Sequence, residues 1–141
     1  MRGTQNIGGS AVATSYDNST SGLTATNVQA AIDEVVLMDT VNCTVQSGFT
    51  LPSWGTVKVI RIGKVGLLSI WGLRADAAIT SSTLALALPW ASATGVAGVG
   101  YVDGQTTNCM IRIGTNSTDV FINNVNAANT SIYAQVVYPI A

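Results

Sequence analysis

The sequence predicts a mainly β chain: a short N-terminal helix followed by an antiparallel β-sandwich or jelly-roll head. Three observations carry this. From residue 41 onward, short runs rich in Val, Ile and Leu are separated by Gly, Asn and Pro, the punctuation of hairpins. Several of these runs alternate apolar and polar residues, the period of a half-buried strand. One segment alone, residues 26–38, has a helical period instead.

The helix comes first. Thr26 followed by Gln29 reads as a capping box, in which each side chain satisfies a backbone N–H at the helix start. Val28, Ala31, Ile32, Val35 and Met38 then recur at steps of three and four and form one apolar stripe. Asp39 falls on the same stripe, so the helix is expected to end near Met38. A helix of about a dozen residues is marginal in water, so something must cover that stripe. Periodicity leaves two candidates: a domain on the same chain, or two further copies of the helix packed as a short coiled-coil seam.

Before the helix, residues 1–14 read as a flexible or partner-dependent arm, and Asp17, Asn18, Ser19, Ser21 and Gly22 as turn chemistry. The expected division is an arm and turn segment over 1–22, a helical neck over 23–40 and a head over 41–141.

Within the head, residues 57–62 and 67–73 flank a Gly-bounded turn and read as a hairpin. Both carry apolar residues on both faces, so both faces are expected to be covered. Residues 83–88 alternate with the leucines inward, and Pro89 is expected to end that strand. Trp90 to Gly95 then reads as loop, and 96–102 as a Gly-interrupted strand closed by the Asp103-Gly104 turn. Cys109, Ile111 and Ile113 should share one face and Met110 and Arg112 the other; Ile132, Ala134 and Val136 should likewise face one way.

Composition narrows the function. Charged residues make up 9 % of the chain, against about 25 % in an average globular domain, while hydrophobics make up 48 %. Net charge is −1 and no basic patch is present, which argues against nucleic acid as a partner. No run of about 18 apolar residues suggests a membrane span. Histidine is absent, which removes the commonest general base and the commonest transition-metal ligand; no metal or cofactor is expected. Cys43 and Cys109 sit in strand-like surroundings and read as buried free thiols. Asp76, Asp103 and Asp119 fall in expected turns, where acids usually serve the turn, so no catalytic pair is assigned.

The run Tyr-Asp-Asn-Ser-Thr-Ser-Gly-Leu-Thr-Ala-Thr-Asn-Val-Gln-Ala-Ala-Ile-Asp-Glu-Val, residues 16–35, resembles a linker motif of bacteriophage fibre proteins. In that family the motif precedes a distal β-domain and helps bring three chains together. The resemblance implies a part of the phage particle, made in the bacterial cytoplasm, and a homotrimer whose interface is the Val28, Ala31, Ile32, Val35, Met38 stripe. It does not say what the protein touches; the expected roles are contact with other virion proteins through the N-terminal arm and non-catalytic attachment to a bacterial surface glycan or protein. A capsid-bound head fibre or decoration protein is the alternative, and a polysaccharide depolymerase fragment a third reading. With so few charges, attachment should rest on aromatic faces beside hydroxyls and amides. Trp90, after Pro89 and before small polar residues, and Tyr101 are the ligand-binding candidates; Trp71, inside a strand, is expected in the core, and Trp54 at the domain base.

Overall fold

The structure is a computed structural model that describes residues 10–11, 13–20, 23–36 and 38–141. It divides into two units, Met1–Leu37 and Met38–Ala141. Most of the expected arm, residues 1–9 and Val12, lies outside the described residues, as do Ser21, Gly22 and Leu37.

In the first unit, one helix, α1 (Val28–Val36), starts under a cap different from the expected one. Asn27 is the N-cap: its Oδ1 accepts the Ala30 N–H at 2.8 Å. Gln29 does not reach back to Thr26; its amide donates along the helix to Asp33 at 2.8 Å. The segment expected to be a loose arm satisfies the other free donors. The Val28 N–H bonds the Thr14 carbonyl at 3.0 Å, and the Gln29 N–H bonds the Ala11 carbonyl at 3.1 Å. Three of the N–H groups that a helix start leaves unpaired are thereby met within the unit. Glu34 then ties the turn to the helix, its carboxylate accepting the Thr24 N–H at 2.9 Å and the Ala25 N–H at 3.1 Å.

The stripe itself is split. Ala31 is buried, whereas Ile32 and Val35 are half exposed, at 50 % and 54 %. Met38 is not helical: α1 stops at Val36 and Met38 opens the first strand, β1 (Met38–Asn42).

The second unit is a single antiparallel sheet. Its further strands are β2 (Thr44–Val45), β3 (Phe49–Thr50), β4 (Thr56–Ile62), β5 (Val65–Ala75), β6 (Thr83–Ser92), β7 (Val96–Val102), β8 (Cys109–Ile113), β9 (Ser117–Asn123) and β10 (Ser131–Pro139). They run in the order β1-β4-β5-β10-β7-β8-β9-β6-β2, with β3 beside β5. The two ends of that order, β1 and β2, are one stretch of chain interrupted only at Cys43. Its first half pairs with β4 and its second with β6, so this stretch closes the sheet on itself and leaves one interior. β7, β8 and β9 meander, and β10 returns beside β7, which is a Greek key. The β4–β5 turn is two residues long, with Gly63 at φ 56, a backbone that favours glycine.

The interior is filled by every second residue. Val57 and Val59 of β4, Leu68 and Ile70 of β5, Cys109, Ile111 and Ile113 of β8, and Ile132, Ala134, Val136 and Tyr138 of β10 are buried. β6 departs from the expected alternation. Its register with β9 shifts between Leu84 and Leu86, so Ala85 and Leu86 are both buried while Leu84 is half-buried. Pro89 does not end the strand: it lies within the second register shift, between Ala87 and Ser92, where no ladder bond requires its missing N–H. One face is covered by this interior; the other is open in the single chain, where Ile62, Val99, Met110 and Val137 are exposed.

Cys43 and Cys109 are free thiols, Cys109 buried and Cys43 half-buried. Burial pushes the Cys43 thiol up from 9.0 to about 12. Burial, and to a lesser degree the neighbouring Cys43, pushes the Tyr138 hydroxyl up from 10.0 to about 12. Both groups hold their protons more tightly when folded, so the unfolded chain releases them first. Their contribution is therefore full below about pH 9 and is lost as pH rises toward 12. Urea midpoints measured across that window should fall steadily; a midpoint unchanged to pH 11 would show that these groups do not couple to folding.

Candidate functional site

Strand register builds the site. Tyr133 on β10 lies opposite Trp71 on β5 and opposite Tyr101 on β7, so three aromatic residues form one row across adjacent strands. All three side chains are on the outside of the sheet. Trp71 is 57 % exposed and Tyr101 53 %, and Tyr133 is half-buried between them. The Trp71 and Tyr133 rings meet edge to face, 4.9 Å between centroids at 76°, and the Tyr101 and Tyr133 rings are 6.1 Å apart at 33°.

Trp71 is therefore not the core residue the sequence suggested, and the cause is a bulge. Up to Ile70, β5 buries its even-numbered residues. Gly72 then takes φ 78 and the pairing with β10 slips, so that Leu73 and Ala75 point inward instead. Trp71 and Leu73 would share a face in a regular strand; the bulge sends one out and the other in. The Trp54 ring lies where a Gly72 side chain would be, and the Arg74 guanidinium sits 5.5 Å over Trp54. Trp54 thus covers the bulge. The readable sign of all this was a glycine inside a strand, next to the tryptophan.

Asp103, in the turn after β7, completes the site. Its N–H donates to the Ser131 carbonyl at 2.9 Å, and its carboxylate accepts the Tyr101 hydroxyl at 3.3 Å. Trp71, Tyr101, Asp103 and Tyr133 line an open depression of about 390 Å³. Two others adjoin it. One, of about 340 Å³, runs over Ser69, Trp71, Val99, Tyr133 and Gln135. The second, of about 170 Å³, is polar and lined by Asp103, Gln105, Asn126 and Thr130 among others. Gln105 is held rigidly there, donating to the Thr107 and Asn124 carbonyls at 2.7 and 2.8 Å and accepting the Asn126 N–H at 2.9 Å.

The two sequence candidates part ways. Tyr101 joins the row. Trp90 does not: it lies in β6 and not in a loop, and is half-buried against the core. The Arg61 guanidinium lies 5.5 Å over its ring, and its carbonyl accepts the Tyr138 hydroxyl at 3.3 Å. Its face is already in use. Of the turn acids, Asp76 accepts the Thr50 hydroxyl at 2.8 Å, and Asp119 lies within β9 instead of a turn. Asp103 is the one acid lining the aromatic depression. A further depression of about 320 Å³ beside Gly95, Arg112 and Thr115 has neither an aromatic ring nor an acid in its lining.

No family model matches the chain. No curated protein matches it either. Among solved structures it is similar to the head domain of phage bIL170, described with the receptor-binding domains of lactococcal phages: TM-score 0.59, 11 % identity, 74 % of this chain and 100 % of that one covered. The fold resembles that of a phage receptor-binding head domain. At this identity the likeness concerns architecture, and the side chains of the aromatic row are read from this chain alone.

Proposed function

We propose that this chain is a phage fibre or receptor-binding protein that attaches, without catalysis, to a bacterial surface glycan or protein. The observation that carries the reading is the exposed Trp71–Tyr133–Tyr101 row, on a fold similar to that of a receptor-binding head. Large rings held rigidly at a surface cost little entropy to engage, and aromatic residues dominate binding energy at interfaces. Ser69 and Gln135 place a hydroxyl and an amide beside them.

The same reading makes the protein a homotrimer on the virion surface. Ile32 and Val35, with Val28, present the apolar stripe of α1 to two further copies. Ala31, buried in the single chain, would lend the seam little surface. Met38, 69 % exposed, belongs to β1 and so to the head, and it drops out of the helical seam. The resemblance of residues 16–35 to a fibre linker supports this assembly, and electron microscopy of labelled particles would distinguish a tail fibre from a head fibre.

Attachment is tested with labelled protein and a broad panel of intact bacteria. Binding should be confined to particular strains, and Trp71→Ala should abolish it while leaving the thermal transition close to wild type. Loss of an aromatic anchor costs about 2 kcal/mol or more, roughly 30-fold per site. A folded Trp71→Ala protein that binds as well as wild type would remove the row from the attachment site.

A further inference from the structure

The aromatic depression has a property that attachment to a neutral surface does not require. Its one charged wall is the Asp103 carboxylate, and its remaining walls are the Trp71, Tyr101 and Tyr133 rings. The rings do not form a flat platform: one pair is nearly perpendicular and the other tilted, so their faces turn in different directions. Ring faces are electron-rich and attract a cation within about 6 Å of the centroid. With centroids 4.9 and 6.1 Å apart, one small cation can satisfy that distance for two rings at once.

The chain's own cations sharpen the contrast. Arg61 lies over Trp90, Arg74 over Trp54 and Arg112 over Phe121, each 5.5 to 5.6 Å from the ring centroid. At these three places, then, an aromatic face is occupied by a guanidinium. No Lys or Arg lines the Trp71–Tyr133–Tyr101 depression, and its lining includes the Asp103 carboxylate. Among the described residues, Asp103 has the Tyr101 hydroxyl as its side-chain partner and no cation.

We infer that this depression binds an organic ammonium group carried by the host-surface polymer. The rings would surround the cation's alkyl or N–H surface, and Asp103 would balance its charge from the rim. A choline-type head, an aminoacyl ester and an unacetylated amino sugar share that chemistry. The identity of the polymer rests on the attachment reading, whereas binding of the group is a property of the isolated protein.

The test is a titration of the full chain followed by ¹H–¹⁵N NMR, with the three indole N–H signals assigned by single Trp→Phe variants. Choline should shift the Trp71 signal and leave Trp54 and Trp90 in place. Its neutral isostere 3,3-dimethylbutanol should bind about fivefold more weakly or worse. Asp103→Asn should weaken choline roughly three- to fivefold, the upper part of the range of an exposed ion pair, and leave the isostere unchanged. Glucosamine and an alanine methyl ester, against N-acetylglucosamine and N-acetylalanine methyl ester, distinguish the ammonium sources. Equal affinity for charged and neutral members of these pairs overturns the inference. So does an unmoved Trp71 signal, the result expected if a second copy covers the rings. If none of these ligands binds and Trp71→Ala still abolishes cell binding, the ammonium inference falls and the attachment reading stands. If choline binds at Trp71 and Trp71→Ala leaves cell binding intact, the ammonium site stands and the row is removed from the attachment site.

Discussion

Gly72→Ala is expected to destabilise the head by about 3 kcal/mol and to lower its melting temperature by roughly 15 °C. Two costs add. At φ 78 a side chain meets its own backbone, worth about 1–2 kcal/mol. The new Cβ also runs into the Trp54 ring, which can move only by leaving the bulge uncovered and giving up its Arg74 contact. Gly104 separates the two costs. It has φ 71, but a Cβ added there would meet nothing within 4 Å, so Gly104→Ala should bear the backbone cost alone, about 1 kcal/mol. Denaturant titrations of both variants measure the difference. Equal losses would show that Trp54 is not packed against Gly72 as described. If the bulge is lost, Trp71 and Leu73 compete for the same face, so ligand binding should fall together with stability.

Val35→Asp is expected to turn a trimer into a monomer. Val35 is half exposed in the single chain, so the substitution should leave the fold of that chain intact. In a trimer it would bring three carboxylates to a dry seam, at a cost of several kcal/mol. Light scattering at micromolar concentration reads the result directly, and wild-type protein that is already monomeric would sink the trimer proposal. Binding to cells should fall by about 10²–10⁴, because three linked sites would no longer act together. Ala31→Asp is the contrast: Ala31 is already buried in the single chain, so that variant should disrupt the packing of the helix, and circular dichroism should show the loss of helix.

By itself the sequence determined whatever depends on local period. Cys109, Ile111 and Ile113 are buried and Met110 and Arg112 are not, because a strand's side chains alternate with a period of two and the apolar ones sit at every second place. The Gly63 turn, the Asp103-Gly104 turn and the helical stretch from Val28 were legible for the same reason: each rests on the conformational preferences of a few neighbouring residues. Tertiary structure decided everything that depends on a distant partner. Asn27, and not Thr26, caps α1 because Thr14 and Ala11 fold back to meet the next N–H groups. Trp90 is packed and covered because Arg61, from another strand, reaches its ring. The Trp71 row exists because β10 returns between β5 and β7, bringing together residues far apart in the chain. The slip at Gly72 then reverses the facing of everything after it: period alone says which residues share a face, and only the pairing with β10 says where that period breaks.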